Sequence, residues 1–353
     1  MSVAAAPHTR AESREMRVRP TRAPVRVAGL FGAAAALLVL CFLSLAIGTR
    51  DVPLHTVWQA LTDYDPASTD QIVVVELRVP RTILGLLVGA ALGLAGAVMQ
   101  GVTRNPLADP GILGVNAGAA LFVVLAISFL GVGSILGYVW FAFLGAAIAS
   151  VVVYSIASLG RDGATPVKLA LAGAALSAAF SSVTTAFLLL DQATFDQFRF
   201  WQVGSLSGRD MSVVVRVAPF LLVGCALALL LGRVLNTLSL GEDVARGLGA
   251  NVAFSRAVSA LAVVLLCGAA TAACGPIGFI GLTIPHVARM IVGPDYRWAL
   301  PYSMLLAPIL LLAADIIGRV VARPGELQVA IVTAVIGAPV FIALVRRKKL
   351  AEL

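Results

Sequence analysis

Charge is scarce in this sequence. Of its 353 residues, 12% are Asp, Glu, Lys or Arg, where a soluble domain carries about a quarter. That excludes a large soluble body. Lysine is nearly missing, with only Lys168, Lys348 and Lys349. None of them follows a glycine in the GxxxxGK[ST] pattern, so the chain has no phosphate-binding loop of its own and is no P-loop ATPase. The three histidines, His8, His55 and His286, are far apart in sequence. HExxH, GxSxG and CxxC are absent, so no catalytic constellation appears and the chain reads as a non-enzyme. A lone His286 beside Pro285 is more often structural than a ligand or proton relay. The four cysteines, Cys41, Cys225, Cys267 and Cys274, all lie in apolar runs. They read as small core hydrophobes, not as disulfides or metal ligands.

What is abundant is apolar sequence. Hydrophobic residues make up 59%, and the mean hydropathy is +0.96. Runs of about 20 apolar residues, the length that crosses a bilayer, recur along the whole chain. The expected fold is therefore an all-α polytopic membrane protein with about ten transmembrane helices. Residues 1–26 carry six arginines and no apolar run, and are expected as a disordered cytoplasmic tail. Residues 27–348 form one transmembrane domain, with spans expected at 28–47, 81–101, 111–130, 135–159, 167–190, 211–231, 257–274, 275–292, 298–321 and 327–345. The first run is longer than a signal-peptide core of roughly 7–15 residues, so it reads as an uncleaved helix. Residues 49–80 form an external loop with room for a short interfacial helix.

Ten spans with the N-terminus inside place Arg50, Arg78, Arg81, Arg199, Arg209, Arg216, Arg319 and Arg323 outside. The other 18 of the 26 Lys and Arg fall inside. That excess supports both termini being cytoplasmic. It also explains a pI near 9.9 without nucleic acid.

The most organised stretch is 78–118. Two arginines precede an apolar run with small residues at every fourth position: Gly85, Gly89, Gly93, Ala97 and Gly101. Such a stripe lets another helix backbone approach closely. A polar turn, Arg104-Asn105-Pro106-Leu107-Ala108-Asp109-Pro110, then breaks the run. Span five carries Ser177, Ser181, Ser182, Thr184 and Thr185, which either line a wet path or bond between helices. Asp315 and Arg319 stand four apart, which is pairing distance on a helix. A proton-coupled carrier needs buried carboxylates, and Asp315 is the single candidate. The segment 232–256 is the longest hydrophilic stretch inside the bundle. Its polar, glycine-stopped piece from Gly241 to Gly249 reads either as a solvated loop or as a docking helix for a soluble partner.

Six motifs occur in order: RVPRT, RNPLADPGILGVNAGA, GEDVARGLGANV, GPIGFIGLTIPHVARMIVGPDYR, ADIIGR and ELQVAIVTAVIGAPVFIALVRR. Together they resemble the FecCD permease family over roughly residues 30–348. The family comprises membrane subunits of type II ABC importers for ferric siderophores, haem and vitamin B12. The resemblance implies a type II importer permease fold in the cell membrane. It also implies a second permease subunit, the same or a paralogue, two cytoplasmic ATP-binding subunits that hold the ATP, and an extracytoplasmic binding protein.

By the same resemblance, Arg78, Arg81 and Arg319 meet acidic residues of the binding protein. Asn105, Pro106 and Leu107 form a cytoplasmic gate, with Ala164 and Thr165 in a second gate loop. For such a permease, the wet-path reading of span five, drawn from its residue types and not from the resemblance, places Ser177, Ser181 and Thr184 along the path. Gly241, Glu242, Ala245, Arg246 and Gly249 couple to the ATPase. Gln328 departs from the family, which often has proline there. No cofactor or metal of the chain itself is implied. A ferric siderophore is the expected cargo, with haem or cobalamin as alternatives. An ATP-independent secondary transporter is the rival class.

Overall fold

The computed structural model describes residues 23–159 and 165–346. The expected tail thus lies outside the described residues as far as 22, and the first helix begins at 23, earlier than the expected 28. Apart from turns and loops, the described residues are helical. In chain order the helices are α1 (Ala23–Ala46), α2 (Leu54–Thr62), α3 (Thr69–Ile72), α4 (Val79–Thr103), α5 (Val115–Leu130), α6 (Ile135–Ala157), α7 (Pro166–Leu190), α8 (Gln192–Gln202), α9 (Met211–Leu230), α10 (Gly232–Ser239), α11 (Glu242–Gly247), α12 (Val252–Cys274), α13 (Ile280–Val292), α14 (Tyr296–Val321) and α15 (Val329–Arg346).

Seven helices among the described residues are long and apolar enough to cross a membrane. Three shorter apolar ones, α5, α13 and the stretch Val329–Ala343 of α15, stand where the other three spans are expected, so the count is about ten. The loop expected over 49–80 is largely helical. α3 passes through a π-helical turn (Val73–Arg78) into α4, so one rod runs from Thr69 to Thr103. The third span starts at Val115, because a 3-10 turn (Pro110–Leu113) takes up the residues before it. At 13 residues, α13 is about 20 Å long, short of the roughly 30 Å of a hydrocarbon core.

The helix ends follow local chemistry. Thr165 accepts from the Lys168 amide ahead of Pro166, the first residue of α7, and proline costs nothing where the amide has no helical partner. Asn251, Asp210 and Asp295 cap α12, α9 and α14 in the same manner. Arg104 ends α4 in the left-handed region, with φ of 48°.

α4 is the buried centre, packed on α14, α12, α13 and α9. Its small-residue stripe faces α14. A Cβ on Gly89 would stand 2.5 Å from Pro308 Cα, and one on Gly93 would stand 2.5 Å from the Ser303 carbonyl oxygen. Gly96 opens a second close approach, with the Gly281 backbone of α13 lying against it. Pro285 explains what happens next on that face. It has no amide hydrogen, so the Gly281 carbonyl four residues earlier lacks its helical donor. Gln100 Nε2 donates instead, at 3.3 Å to Gly281 and 3.1 Å to Leu282. The same side chain accepts from Arg289 at 2.6 Å.

Candidate functional site

Functional side chains gather at opposite ends of the bundle. At one end, the last carbonyls of α1, on the buried residues Ser44, Leu45 and Ala46, lack helical donors. Two guanidinium groups supply them. Arg78 donates to the carbonyls of Leu45 at 2.7 Å and Ala46 at 2.6 Å, and to that of Arg50. Arg319 donates to those of Ser44 at 2.9 Å and Ile47 at 3.1 Å. The positive groups also offset the negative end of the helix dipole. Asp315, fully buried, accepts from Arg81 at 2.8 Å and pairs with Arg319 at 2.9 Å. Arg81 reaches Glu326 as well, at 2.8 Å. Arg323 holds Asp51 at 2.6 Å, and that bond keeps the Asp51 carboxyl below its ordinary value.

This geometry changes the picture of the three expected docking arginines. They do share one end, and Asp315 and Arg319 do pair. Yet Arg78, Arg81 and Arg319 are 5%, 8% and 2% exposed and are bonded within the chain. They brace α1 against α4 and α14 and do not project as bare charges. Beside them opens a cleft of about 450 Å³, lined by residues including Arg50, Arg78, Arg81, Arg209, Arg319 and Glu326.

At the opposite end, Asn105 is exposed and its Oδ1 accepts from the Leu107 amide at 2.9 Å. The turn is thereby closed on itself, with Pro106 half-buried and Leu107 exposed. Ala164 lies outside the described residues. Thr165 is half-buried and serves α7 as its cap. Gly241, with φ of 105°, turns the chain into α11, a conformation open to glycine and costly for other residues. Ala245 is buried under the helix, while Arg246 and Gly249 face solvent.

Glu242 is the hub of this end. It pairs with Arg256 at the start of α12, with Arg246 at 3.4 Å and with Arg104 at 3.9 Å. Around it Leu240, Val244, Leu248 and Phe254 are exposed apolar side chains. A second tie joins α10 to α14: Asn236 donates to Asp295 at 2.6 Å and accepts from the Tyr296 amide at 2.9 Å. Chiefly through its bond from Arg297, the Asp295 carboxyl is held down at about 2.

The serines of α7 do not meet in one place. Ser181 is exposed, Ser177 is half-buried, and Thr184 is buried with no hydrogen-bond partner for its hydroxyl. α7 as a whole buries little of itself in this chain, with Leu171, Leu189 and Leu190 exposed. Sequence reasoning missed Glu326 and Gln100 as structural partners, counted Arg209 and Arg256 as topology charges alone, and read Arg104 only as a charge in the polar turn. Their partners are remote in sequence, so no local spacing announces them.

The profile of the FecCD transport family matches residues 36–347. The chain is 50% identical over 312 residues to the ferric enterobactin transport system permease protein FepD of Escherichia coli K12, covering 88% of this chain and 93% of that protein. It is 43% identical over 315 residues to the Fe(3+)-citrate import system permease protein YfmD of Bacillus subtilis 168, with 88% and 93% covered. A solved structure described as an inward-facing conformation of a metal-chelate type ABC transporter superposes with a TM-score of 0.80 at 32% identity, over 91% of this chain and 99% of the other. With matches across nearly its whole length, this multi-pass membrane protein belongs to the FecCD transport family.

Proposed function

We propose that the chain is the permease subunit of an ABC importer that moves a ferric siderophore into the cell. The observation that carries this reading is likeness along the whole chain to permeases named for ferric chelates, at up to 50% identity. In that role it sits in the cell membrane with both termini cytoplasmic, and works with a second permease subunit, two cytoplasmic ATP-binding subunits and an extracytoplasmic binding protein. ATP is held by the partner subunits.

The arginine end faces outward in this assignment. A docked binding protein meets a positive rim there. Its carboxylates would compete with Asp315 and Glu326 for Arg81 and Arg319, and reach the exposed Arg50 more directly. Paired charges of this kind favour orientation and encounter rate over raw affinity. The Glu242 end faces the ATPase. Its exposed apolar residues suit a soluble partner's cleft, and Gly241, Glu242, Ala245, Arg246 and Gly249 form the coupling element. ATP-driven movement of α11 passes through Glu242 to Arg104 and so to the gate at Asn105, Pro106, Leu107 and Thr165. Ser177, Ser181 and Thr184 lie on the α7 face left open for the path. The rival ion-coupled carrier needs a carboxylate able to exchange protons, and Asp315 is held by two arginines.

The test is reconstitution of the full importer in proteoliposomes. Accumulation of a ferric siderophore should require ATP, the ATPase and the binding protein together. Equal accumulation with the ATPase left out would sink the reading.

A further inference from the structure

We propose that α2 lies in the lipid headgroup layer at the arginine end and sinks Leu54, Trp58 and Leu61 to the boundary of the lipid tails. The π-helical turn that ends at Arg78 is thereby tied to the membrane surface. The inference needs only that the chain crosses a membrane, and it holds whatever the chain carries. Two observations support it: how the side chains of α2 are distributed, and where α2 packs.

The nine residues of α2 include no Asp, Glu, Lys or Arg. At about 100° per residue, their side chains fall into three sectors. Val57 and Ala60, 2% and 3% exposed, face the chain and pack in one cluster with Leu45 and Ala46 of α1 and Val74 of the π-helical turn. His55, Gln59 and Thr62 are polar and exposed. Between these two sectors stand Leu54, Trp58 and Leu61, within about 60° of one another and 66%, 61% and 46% exposed. A helix lying flat at the edge of a membrane protein has three surroundings: protein, lipid and water. The sectors of α2 follow that order.

Position agrees with this. α1 is a peripheral span whose apolar stretch is only 6% buried within the chain. Leu38, Val39 and Phe42 are exposed on it, and in a membrane such a surface meets lipid. α2 packs on Leu45 and Ala46, in the last turn of α1. A span ends where the hydrocarbon gives way to headgroups, so α2 sits at that depth and on the perimeter of the bundle. Its apolar sector continues the lipid-facing surface of α1.

The residue types fit the same depth. Trp and Tyr concentrate at membrane interfaces, where one part of the ring is dry and the polar tip is wet. Trp58 lies in the apolar sector, and Tyr64 is exposed just beyond the end of α2. A soluble partner would come from the water side, where α2 shows His55, Gln59 and Thr62. The apolar sector is turned away from that approach.

The experiment places the permease–ATPase complex in phosphatidylcholine nanodiscs and compares wild type with Trp58→Phe. Fluorescence from every other tryptophan cancels in the difference, which reports Trp58. Lipid brominated just below the headgroup should quench that signal about twofold or more better than lipid brominated near the bilayer centre, because an interfacial face sinks only about 5–10 Å. Acrylamide, a water-borne quencher, should reach it poorly. If Trp58→Phe fails to assemble, nitroxides attached through Leu61→Cys and Gln59→Cys answer the same question, with the half-buried Cys41 and Cys225 replaced by alanine. The label at 61 should collide with lipid-soluble oxygen, and the label at 59 with a water-soluble nickel chelate. Free access of acrylamide without quenching by brominated lipid overturns the proposal, as does equal behaviour of the two nitroxides. Shielding of Trp58 from both quenchers also overturns it, since a second protein chain would then cover the face. So does loss of lipid quenching when the extracytoplasmic binding protein is added, since the face would then serve that partner.

Discussion

Asp315 shows how much one side chain can hold. It is a fully buried carboxylate shared by Arg81 on α4 and Arg319 on its own helix. Those two arginines in turn hold Glu326 and the end of α1. Removing its charge would strand two buried guanidinium groups. Breaking a buried pair from one side costs about 3–5 kcal/mol. Asp315→Asn should therefore lower unfolding stability in detergent by an amount of that order. Replacing both members, Asp315→Leu with Arg319→Met, should cost less than the two single changes added together, because Arg319 is no longer left unmet, while Arg81 keeps Glu326 alone. A simple sum of the single effects would mean that the pair is not coupled.

At the scale of elements, α4 carries the packing. Its stripe at Gly85, Gly89 and Gly93 seats Leu312, Pro308 and Ser303 of α14, and Gly96 seats α13. The two contacts differ in what they can absorb. At Gly85 the nearest atom is the end of a leucine side chain, which can turn aside. At Gly96 it is backbone, which cannot. Overpacking a close contact costs about 1–3 kcal/mol. Gly96→Ala should accordingly destabilise more than Gly85→Ala, measured as the loss of folded monodisperse protein on heating. The Gln100 bridge adds to this seam, because it serves the Gly281 carbonyl freed by Pro285 and the Leu282 carbonyl beside it. A short proline-containing helix is thus tied to its neighbour by that neighbour's amide group.

Across the whole molecule, the two ends are joined by the same rod. The π-helical turn that closes at Arg78 leads directly into α4, and Arg104 ends it at the Glu242 hub. Glu242 stands 3.9 Å from Arg104, next to the turn that holds Asn105 and Leu107, and under the permease proposal this contact would carry motion of α11 to that turn. The pairs with Arg104 and Arg246 are exposed and contribute up to about 1 kcal/mol each, so beside the buried Arg256 they make a modest link. Glu242→Gln should leave the ATPase attached through the apolar residues, yet lower transport per ATP hydrolysed by up to about tenfold. Equal coupling in the variant and the wild type would remove Glu242 from the route. The broad exposed face of α7 is the complementary whole-molecule feature, a surface that this chain alone does not cover.

The sequence by itself determined the class, the span order and the places where helices stop. Apolar runs of bilayer length, capping residues and prolines act locally, so they can be read one window at a time. Even the stripe on α4 was legible as a packing face, and Asp315 with Arg319 as a pair, because helical spacing alone brings those groups together. Tertiary structure decided which helix the stripe meets and what the arginines do. Arg78 and Arg81 look like free external charges in one dimension. In three, the open carbonyls of α1, Asp315 and Glu326 arrive from distant segments and bury them. Arg209 shows the reverse. Nothing in its neighbourhood along the chain marks it out, and only the folded wall around it reveals a buried cation with no ion pair among the described residues.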